Sequence, residues 1–511
     1  MKRGRVILVG AGPGAPDLIT VRGARALAEA DAIVYDSLAS KALLDMAPAY
    51  AERFDVGKRG HEAPTLPQEE TTALLLRLAF EGKTVVRLKG GDPYVFGRGG
   101  EEASACAEAG VPFEVVPGVS SVFGALAHAG IPITDRRHGA SFAVVTGHKD
   151  PTKVSAETRW ELLGEAADTL LVLMGMRNLA EIVTRLIEGG RAPSTPAAVV
   201  MNGTLPTQRV VEAPLSELPA RAAEAGVTAP AVVVVGDVVR LRDRLAWYEK
   251  QPLFGRRVLI TRSAEQSPEL ARAFASAGAE PVVVPLIELR GPADPSSLDA
   301  ALERLAEYDA LVFTSANAVR FTAERAGMRK VPLSAARAVI CVGPRTAQAA
   351  RDAGIPVHHI PPHRFDAEGV LEEILRALPP QGRRFLLPHS DLARETLALG
   401  LREAGAQVDA VVAYANAPAE VDAPALRASL EGGGLDVLTF ASPSAARRFR
   451  ELLDDTALAA ARRCLVAAIG PVTADALREA GLAPNVVAPQ SGVSGLVSAI
   501  ADSVAAAAES R

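Results

Sequence analysis

Leu88-Lys89-Gly90-Gly91-Asp92-Pro93-Tyr94-Val95-Phe96-Gly97-Arg98-Gly99-Gly100-Glu101-Glu102 follows directly on the apolar run Thr84–Leu88. A short β-branched run that opens into glycines reads as a buried strand delivering a loop. In open α/β sheets ligands bind at such strand ends. The five glycines of this stretch let backbone approach a ligand closely. Asp92 can accept from hydroxyls or an amine, or can serve as a plain helix cap. Two further segments sit at the same kind of hand-over. Gly10-Ala11-Gly12-Pro13-Gly14-Ala15 follows Val6–Val9, and Val116-Pro117-Gly118-Val119-Ser120-Ser121 precedes a helical stretch.

The first of these formally matches a dinucleotide loop. That loop works through backbone N–H groups at a helix start. Pro13 and Pro16 lack that donor, and the next helix begins late, near Asp17 or Thr20. An NAD site, a tight turn and a different ligand all remain open on these residues alone.

Outward from the glycine stretch the pattern continues. Ala32–Tyr35, Phe142–Thr146, Thr169–Met174 and Val232–Val235 read as buried strands alternating with helices, as do seven runs from Val258–Thr261 to Val466–Ile469. Such alternation predicts parallel α/β sheets. The back half carries an internal copy at an offset of 127 residues. Asp309-Ala310-Leu311-Val312-Phe313 returns as Asp436-Val437-Leu438-Thr439-Phe440, and Gly343-Pro344-Arg345-Thr346 returns as Gly470-Pro471-Val472-Thr473. Two similar lobes make a cleft, and this period is too long for a solenoid. The charged and aromatic segment 243–257 reads as a linker between halves.

The chain has 511 residues, 49% of them hydrophobic, and a net charge of −5. It can bury sizeable cores, and its charge gives no support to a nucleic-acid partner. Cys106, Cys341 and Cys464 are odd in number and far apart, which fits a reducing cytoplasm and argues against a disulfide framework and a Cys-based zinc site. No apolar run suggests a signal peptide or a membrane span, so no membrane partner is expected. His358, His359 and His363 fall in a proline-rich loop, and no metal site is expected.

Val9-Gly10-Ala11-Gly12-Pro13-Gly14, Tyr35-Asp36-Ser37-Leu38, Gly57-Lys58-Arg59, the Gly90–Gly100 stretch, Pro117–Ser121 and Met174-Gly175-Met176 resemble the uroporphyrinogen-III C-methyltransferases of the tetrapyrrole methylase family. The resemblance covers roughly residues 4–245. It implies two unlike α/β domains, residues 1–115 and 116–242, with S-adenosylmethionine between them and S-adenosylhomocysteine as product. It implies cofactor contacts from Pro13, Gly90, Gly91, Asp92, Val95, Ser120, Ser121, Met174 and Gly203. Asp36 is implied as proton acceptor and Lys58 as proton donor. A homodimer through this half is implied too. The substrate class carries eight carboxylates, for which Lys58, Arg59, Arg98, Arg136 and Arg137 are candidates. On spacing alone Asp36 reads rather as a cap or surface residue, which only the family match reverses, and Arg136-Arg137 reads as a solvated charge run.

The back half shows hydroxyl residues at strand ends: Ser315, Thr346, Ser442 and Thr473. With the exposed N–H groups of helix starts they suit carboxylates, and they also suit N-capping. Thr314-Ser315-Ala316-Asn317, Val342-Gly343-Pro344-Arg345-Thr346, Val412-Ala413-Tyr414 and Ala468-Ile469-Gly470-Pro471-Val472-Thr473 resemble uroporphyrinogen-III synthase over residues 256–500. That implies a two-lobed, flavodoxin-like domain at 258–511 that closes the ring of hydroxymethylbilane, with Tyr414 assisting departure of the hydroxyl. The lobes are expected to exchange segments: 258–290 plus 418–511 as one, 291–416 as the other. A cytoplasmic, bifunctional enzyme of sirohaem and cobalamin synthesis is the expectation. The rivals are an NAD-dependent Rossmann oxidoreductase fused to a flavodoxin-like pair and, outside enzymes, a two-lobed small-molecule sensor in which the back half only binds.

Overall fold

The computed structural model describes residues 4–57, 66–147, 158–393, 395–490 and 492–509. Two compact units emerge. One contains Met1–Arg257, and the other holds most of Val258–Ile500.

In the first unit β1 (Arg5–Gly10), β2 (Ala32–Tyr35), β3 (Glu52–Asp55), β4 (Thr84–Lys89) and β5 (Phe113–Val116) form a parallel sheet, ordered β3-β2-β4-β1-β5. Successive side chains of a strand point to opposite faces. Ile7 and Val9 therefore enter one core, and Val6 and Leu8 enter another. A strand buried on both faces must be apolar throughout, which is why these runs read so clearly.

The second sheet runs β6 (Phe142–Thr146), β7 (Thr169–Leu173), β10 (Ala231–Val235), β8 (Pro196–Met201), β9 (Arg209–Pro214). Only β6 and β7 are parallel, and the other three pairings are antiparallel. The expectation of parallel sheets fails here, because an apolar run records burial and carries no direction. The helix Ser121–His128 packs on this sheet through Val122, Ala125 and Leu126. Val116 pairs with Val9 in the first sheet, so the domain change falls just after Val116.

Residues 243–257 are less a free linker than a clasp on the first unit. Tyr248 is buried, packs edge-on against His128, and donates its hydroxyl to the Thr204 carbonyl at 3.2 Å. Trp247 Nε1 donates to the Ala127 carbonyl at 3.0 Å.

The second unit holds β11 (Arg257–Ile260), β12 (Glu280–Val283), β13 (Ile287–Arg290), β14 (Ala310–Phe313), β15 (Val339–Cys341), β16 (Arg384–Ser390), β17 (Gln407–Pro418), β18 (Val437–Phe440), β19 (Leu465–Ala468) and β20 (Val486–Val487). They form sheets ordered β12-β11-β18-β19-β20 and β13-β17-β16-β14-β15. The sequence repeat reappears in the register. Leu311 pairs with Val339, and Leu438 pairs with Val466, each shifted by 127 positions. Ile340 bridges His359 as Ala467 pairs with Val486. Segments are exchanged between the copies, since Val258 of the first copy pairs with Val437 of the second.

The crossing strands meet each other. β13 runs antiparallel to the end of β17, with Leu289 opposite Asn416. These two residues are themselves 127 positions apart, so a pseudo-twofold axis passes between them. Ile287–Arg290, expected in the lobe built from 258–290, belongs instead to the lobe of β14–β17. Its backbone groups find partners on β17 rather than on β12.

Candidate active sites

In the first unit β1, β4 and β5 end side by side, and their exits are glycine because the backbones touch. A Cβ on Gly118 would lie 2.2 Å from the Gly91 carbonyl oxygen and 2.7 Å from Gly10 Cα. Gly91 N–H donates to the Gly12 carbonyl at 2.7 Å, and Gly12 N–H donates back at 3.2 Å. Asp92 fastens the junction. Its Oδ1 accepts from Tyr94 N–H at 2.8 Å and its Oδ2 from Gly118 N–H at 3.0 Å. The side chain expected to meet a ligand thus also organises two loops.

Around this junction most of the expected cofactor residues gather. Gly91 faces Ser120 and Ser121. Ser120 is buried at the start of its helix, and its side chain makes no capping bond. Pro13 lies on Gly124, and Gly203 lies on Ala125, both of that helix. Thr204 accepts from Ala15 N–H at 3.0 Å, tying the first glycine loop to the second domain. Val95 closes a turn on the Asp92 carbonyl at 3.2 Å. Met174, with φ of 55°, leaves β7 half-exposed. The register of β7, β10 and β8 brings Met174 and Gly203 out at one end of the second sheet.

The dinucleotide rival loses its geometry here. After Gly14 come a 3₁₀ turn, Pro16–Leu18, and then the helix Val21–Ala28, capped by Thr20, whose hydroxyl accepts from Gly23 N–H at 3.1 Å. The glycine turn is not a helix start.

Asp36 stands at the exit of β2. Its Oδ1 accepts from Leu38 N–H at 3.1 Å, and its Oδ2 lies 3.7 Å from Arg87 Nη2. Gly90 packs on Leu38, so this loop abuts the glycine junction. Lys58 and Arg59 lie outside the described residues. Arg98 is exposed and held two-pronged by Glu101 at 2.9 and 2.7 Å, which raises its pKa above the ordinary arginine value. Arg137 lies 3.9 Å from Asp135 on the surface. Sequence reading missed Arg87, Lys89 and Glu102, which are buried and joined through the Glu102 carboxylate.

In the second unit Tyr414 is buried, stacked on Phe321 with centroids 5.5 Å apart, and its hydroxyl is 3.2 Å from Ser315 Oγ. Ser315 and Ser442 are both N-caps, accepting from Ala318 and Ala445 N–H at 3.0 and 3.2 Å. The capping alternative is therefore realised at both, and Ser315 also reaches Tyr414. Thr346 and Thr473 are buried in the first turns of the helices Pro344–Asp352 and Pro471–Glu479. All four hydroxyl residues follow the carboxyl ends of parallel strands, two in each lobe. Contacts between the lobes include Arg345 with Glu269 at 3.2 Å and Gln266 with Asn317 at 3.5 Å. Burial, and then the charge of Arg345, disfavours the cationic form of Arg262. Arg262 and Arg345 come from opposite lobes, a pairing that single motifs did not reveal.

Among the described residues no three His, Cys, Asp or Glu side chains cluster as metal ligands, and no helix is long and apolar enough to cross a membrane.

Comparison with known proteins agrees with the two-part layout. The family model of tetrapyrrole (corrin/porphyrin) methylases matches residues 5–219, and that of uroporphyrinogen-III synthase HemD matches residues 268–498. The porphyrin biosynthesis protein HemD of Ruminiclostridium josui is 35% identical over 97% of both chains. A siroheme synthase of Azotobacter vinelandii is 52% identical over 48% of this chain, which spans only 52% of that relative's length. The uroporphyrin-III C-methyltransferase of Thermus thermophilus, solved with S-adenosyl homocysteine, is 42% identical over 47% of this chain and all of its own, with a TM-score of 0.40. Matched along nearly its whole length, this chain belongs to the family of HemD-type porphyrin biosynthesis proteins, enzymes that join a tetrapyrrole methylase to a uroporphyrinogen-III synthase.

Proposed function

We propose that the second unit cyclises hydroxymethylbilane to uroporphyrinogen III and that the first methylates this product twice, giving precorrin-2 for sirohaem or cobalamin. The observation that carries the reading is the glycine junction beside Asp36, on the same chain as the Ser315–Tyr414 pair. S-adenosylmethionine, when bound, supplies an electrophilic methyl group. The residues fit such a ligand. A Cβ at Gly91 would meet nothing nearer than 3.8 Å, leaving open backbone beside the buried Ser120. Pro13, Gly90, Gly91, Asp92, Val95, Ser120, Ser121, Met174 and Gly203 form the binding surface.

An electron-rich pyrrole carbon needs alignment with that methyl group, and alignment alone supplies several kcal/mol of a barrier. Asp36 takes the proton that the macrocycle loses as the new carbon–carbon bond forms and the carbon–sulfur bond breaks. Lys58 is the proposed proton donor. Arg98 pairs with substrate carboxylates by exchanging Glu101 for them.

In the synthase, a reactive intermediate chiefly needs holding and shielding from water. Tyr414 assists the departing hydroxyl. Ser315, Thr346, Ser442 and Thr473 present helix starts to carboxylates, with Arg262 and Arg345 adding charge. The protein works in the cytoplasm as a homodimer through its methyltransferase half. Incubation with hydroxymethylbilane, with and without S-adenosylmethionine, tests the whole reading. Uroporphyrinogen III alone, and a doubly methylated product with the cofactor, are the expected spectra. Formation of only the type I isomer would sink the proposal.

A further inference from the structure

Arg87 and Lys89 occupy alternate positions of β4, and both are buried, as is Glu102 on the helix Gly99–Glu108. Glu102 Oε1 accepts from Arg87 Nε at 3.1 Å, from Lys89 Nζ at 3.0 Å and from Gln68 Nε2 at 3.0 Å. Two cations therefore share one carboxylate away from water. Burial, and then Arg87, disfavours the charged form of Lys89. Such a cluster is poor evidence of stabilisation, since apolar residues of similar volume often serve a core equally well.

Its geometry points elsewhere. Arg87 Nη1 donates to the carbonyls of Val34 at 3.3 Å and Leu88 at 3.2 Å. The guanidinium is thereby fixed on β2 two residues before Asp36. Its remaining nitrogen, Nη2, lies 3.7 Å from Asp36 Oδ2, so Asp36 is the second anion this cation reaches. The Asp36 carboxylate then has a hydrogen bond from Leu38 N–H on Oδ1 and the Arg87 cation at ion-pair distance from Oδ2.

We infer that Arg87, anchored by Glu102, is a positioning residue that aims the Asp36 carboxylate during methylation. The inference rests on the reading of Asp36 as proton acceptor. Arg87 itself touches no reacting atom. Its contribution is orientation, and misplacement on the order of 1 Å costs up to ~100-fold in rate.

The full-length protein carrying Arg87→Met keeps the aliphatic stem and loses the fork. Its methyltransferase kcat falls at least ~10-fold, while KM for uroporphyrinogen III and calorimetric affinity for S-adenosylmethionine stay within ~3-fold. Arg87→Lys restores part of kcat. Asp36→Asn combined with Arg87→Met is no slower than Asp36→Asn alone, because both act through one carboxylate. Retained calorimetric binding of S-adenosylmethionine reports that the unit carrying Arg87 is folded. If Arg87→Met does not accumulate, Arg87→Lys alone carries the test, with a smaller kcat loss at unchanged cofactor affinity. Unchanged kcat in Arg87→Met, a loss confined to KM or cofactor affinity, or losses that multiply in the double variant would each overturn the positioning role. A fully active Asp36→Asn would instead remove the acceptor reading, whatever Arg87 does.

Discussion

Gly118→Ala is the sharpest probe of the glycine junction. The added methyl would sit 2.2 Å from the Gly91 carbonyl oxygen, 2.7 Å from Gly10 Cα and 2.9 Å from the Gly10 carbonyl carbon. All three are backbone atoms, so no side chain can swing aside. Ordinary contact begins near 3.4 Å, so the exits of β1, β4 and β5 must part by about 1 Å. Overpacking of this kind costs roughly 1–3 kcal/mol of stability. The same shift pulls Gly118 N–H from Asp92 Oδ2, now at 3.0 Å, and moves Gly91 relative to Ser120. Affinity for S-adenosylmethionine should fall at least ~10-fold, and methylation more steeply, since about 1 Å of misplacement costs up to ~100-fold. Gly100→Ala is the matched control. Its Cβ meets nothing within 4 Å and lies in a helix, so both quantities should hold. Calorimetry and thermal unfolding on the full chain, with synthase turnover as internal reference, decide the matter. Gly118→Ala with wild-type cofactor affinity would falsify the assignment of this junction as the cofactor site.

Tyr414→Phe keeps the stack on Phe321 and removes the hydroxyl near Ser315. Synthase rate should drop at least ~10-fold and type I isomer should appear, while a normal rate with wholly type III product would refute the role. Asp92→Ala frees Tyr94 and Gly118 N–H and should weaken cofactor binding without touching ring closure. Calorimetry giving wild-type affinity would contradict this. Burial pushes the hydroxyls of Tyr248 and Tyr308 up to about 12 from 10.0. A raised folded-state pKa gives stability that is full below pH 10 and lost as pH rises towards 12, worth on the order of 2 kcal/mol per residue. Denaturant titrations at pH 9 and 11.5 should show this loss shrinking in Tyr248→Phe and Tyr308→Phe, and equal loss in the variants would exclude these tyrosines as its source.

What the sequence disclosed, and what it hid, follows from what each residue has to do. Buried strands were legible because Val6–Val9 and Ala310–Phe313 must be apolar on both faces. Strand direction in the second sheet was hidden, since Ala231–Val235 buries the same surface whichever way it runs. The glycine junction was legible because close backbone approach permits little else. Arg87 and Lys89 were not, because charged residues at alternate positions of a strand normally face water. Their clue was Glu102, which shares its helix's buried face with Ala103 and Cys106. The family resemblance implied the exchange of segments and the repeat permitted it, yet the crossing at β13 was fixed only by hydrogen bonds that no local pattern records.

That crossing also sets an order of events during synthesis. The lobe of β13–β17 is one continuous stretch, and all its strands are available once Pro418 has emerged. The other lobe begins first and finishes last. β11 and β12 leave the ribosome early, but β11 borders β18, and Val258 must wait for Val437. At ~5–20 residues per second that wait is about 9–36 s. For that time an apolar strand has an unpaired edge, the condition that invites wrong partners. The segment exchange between the lobes therefore leaves the newborn chain most dependent on protection between its two copies.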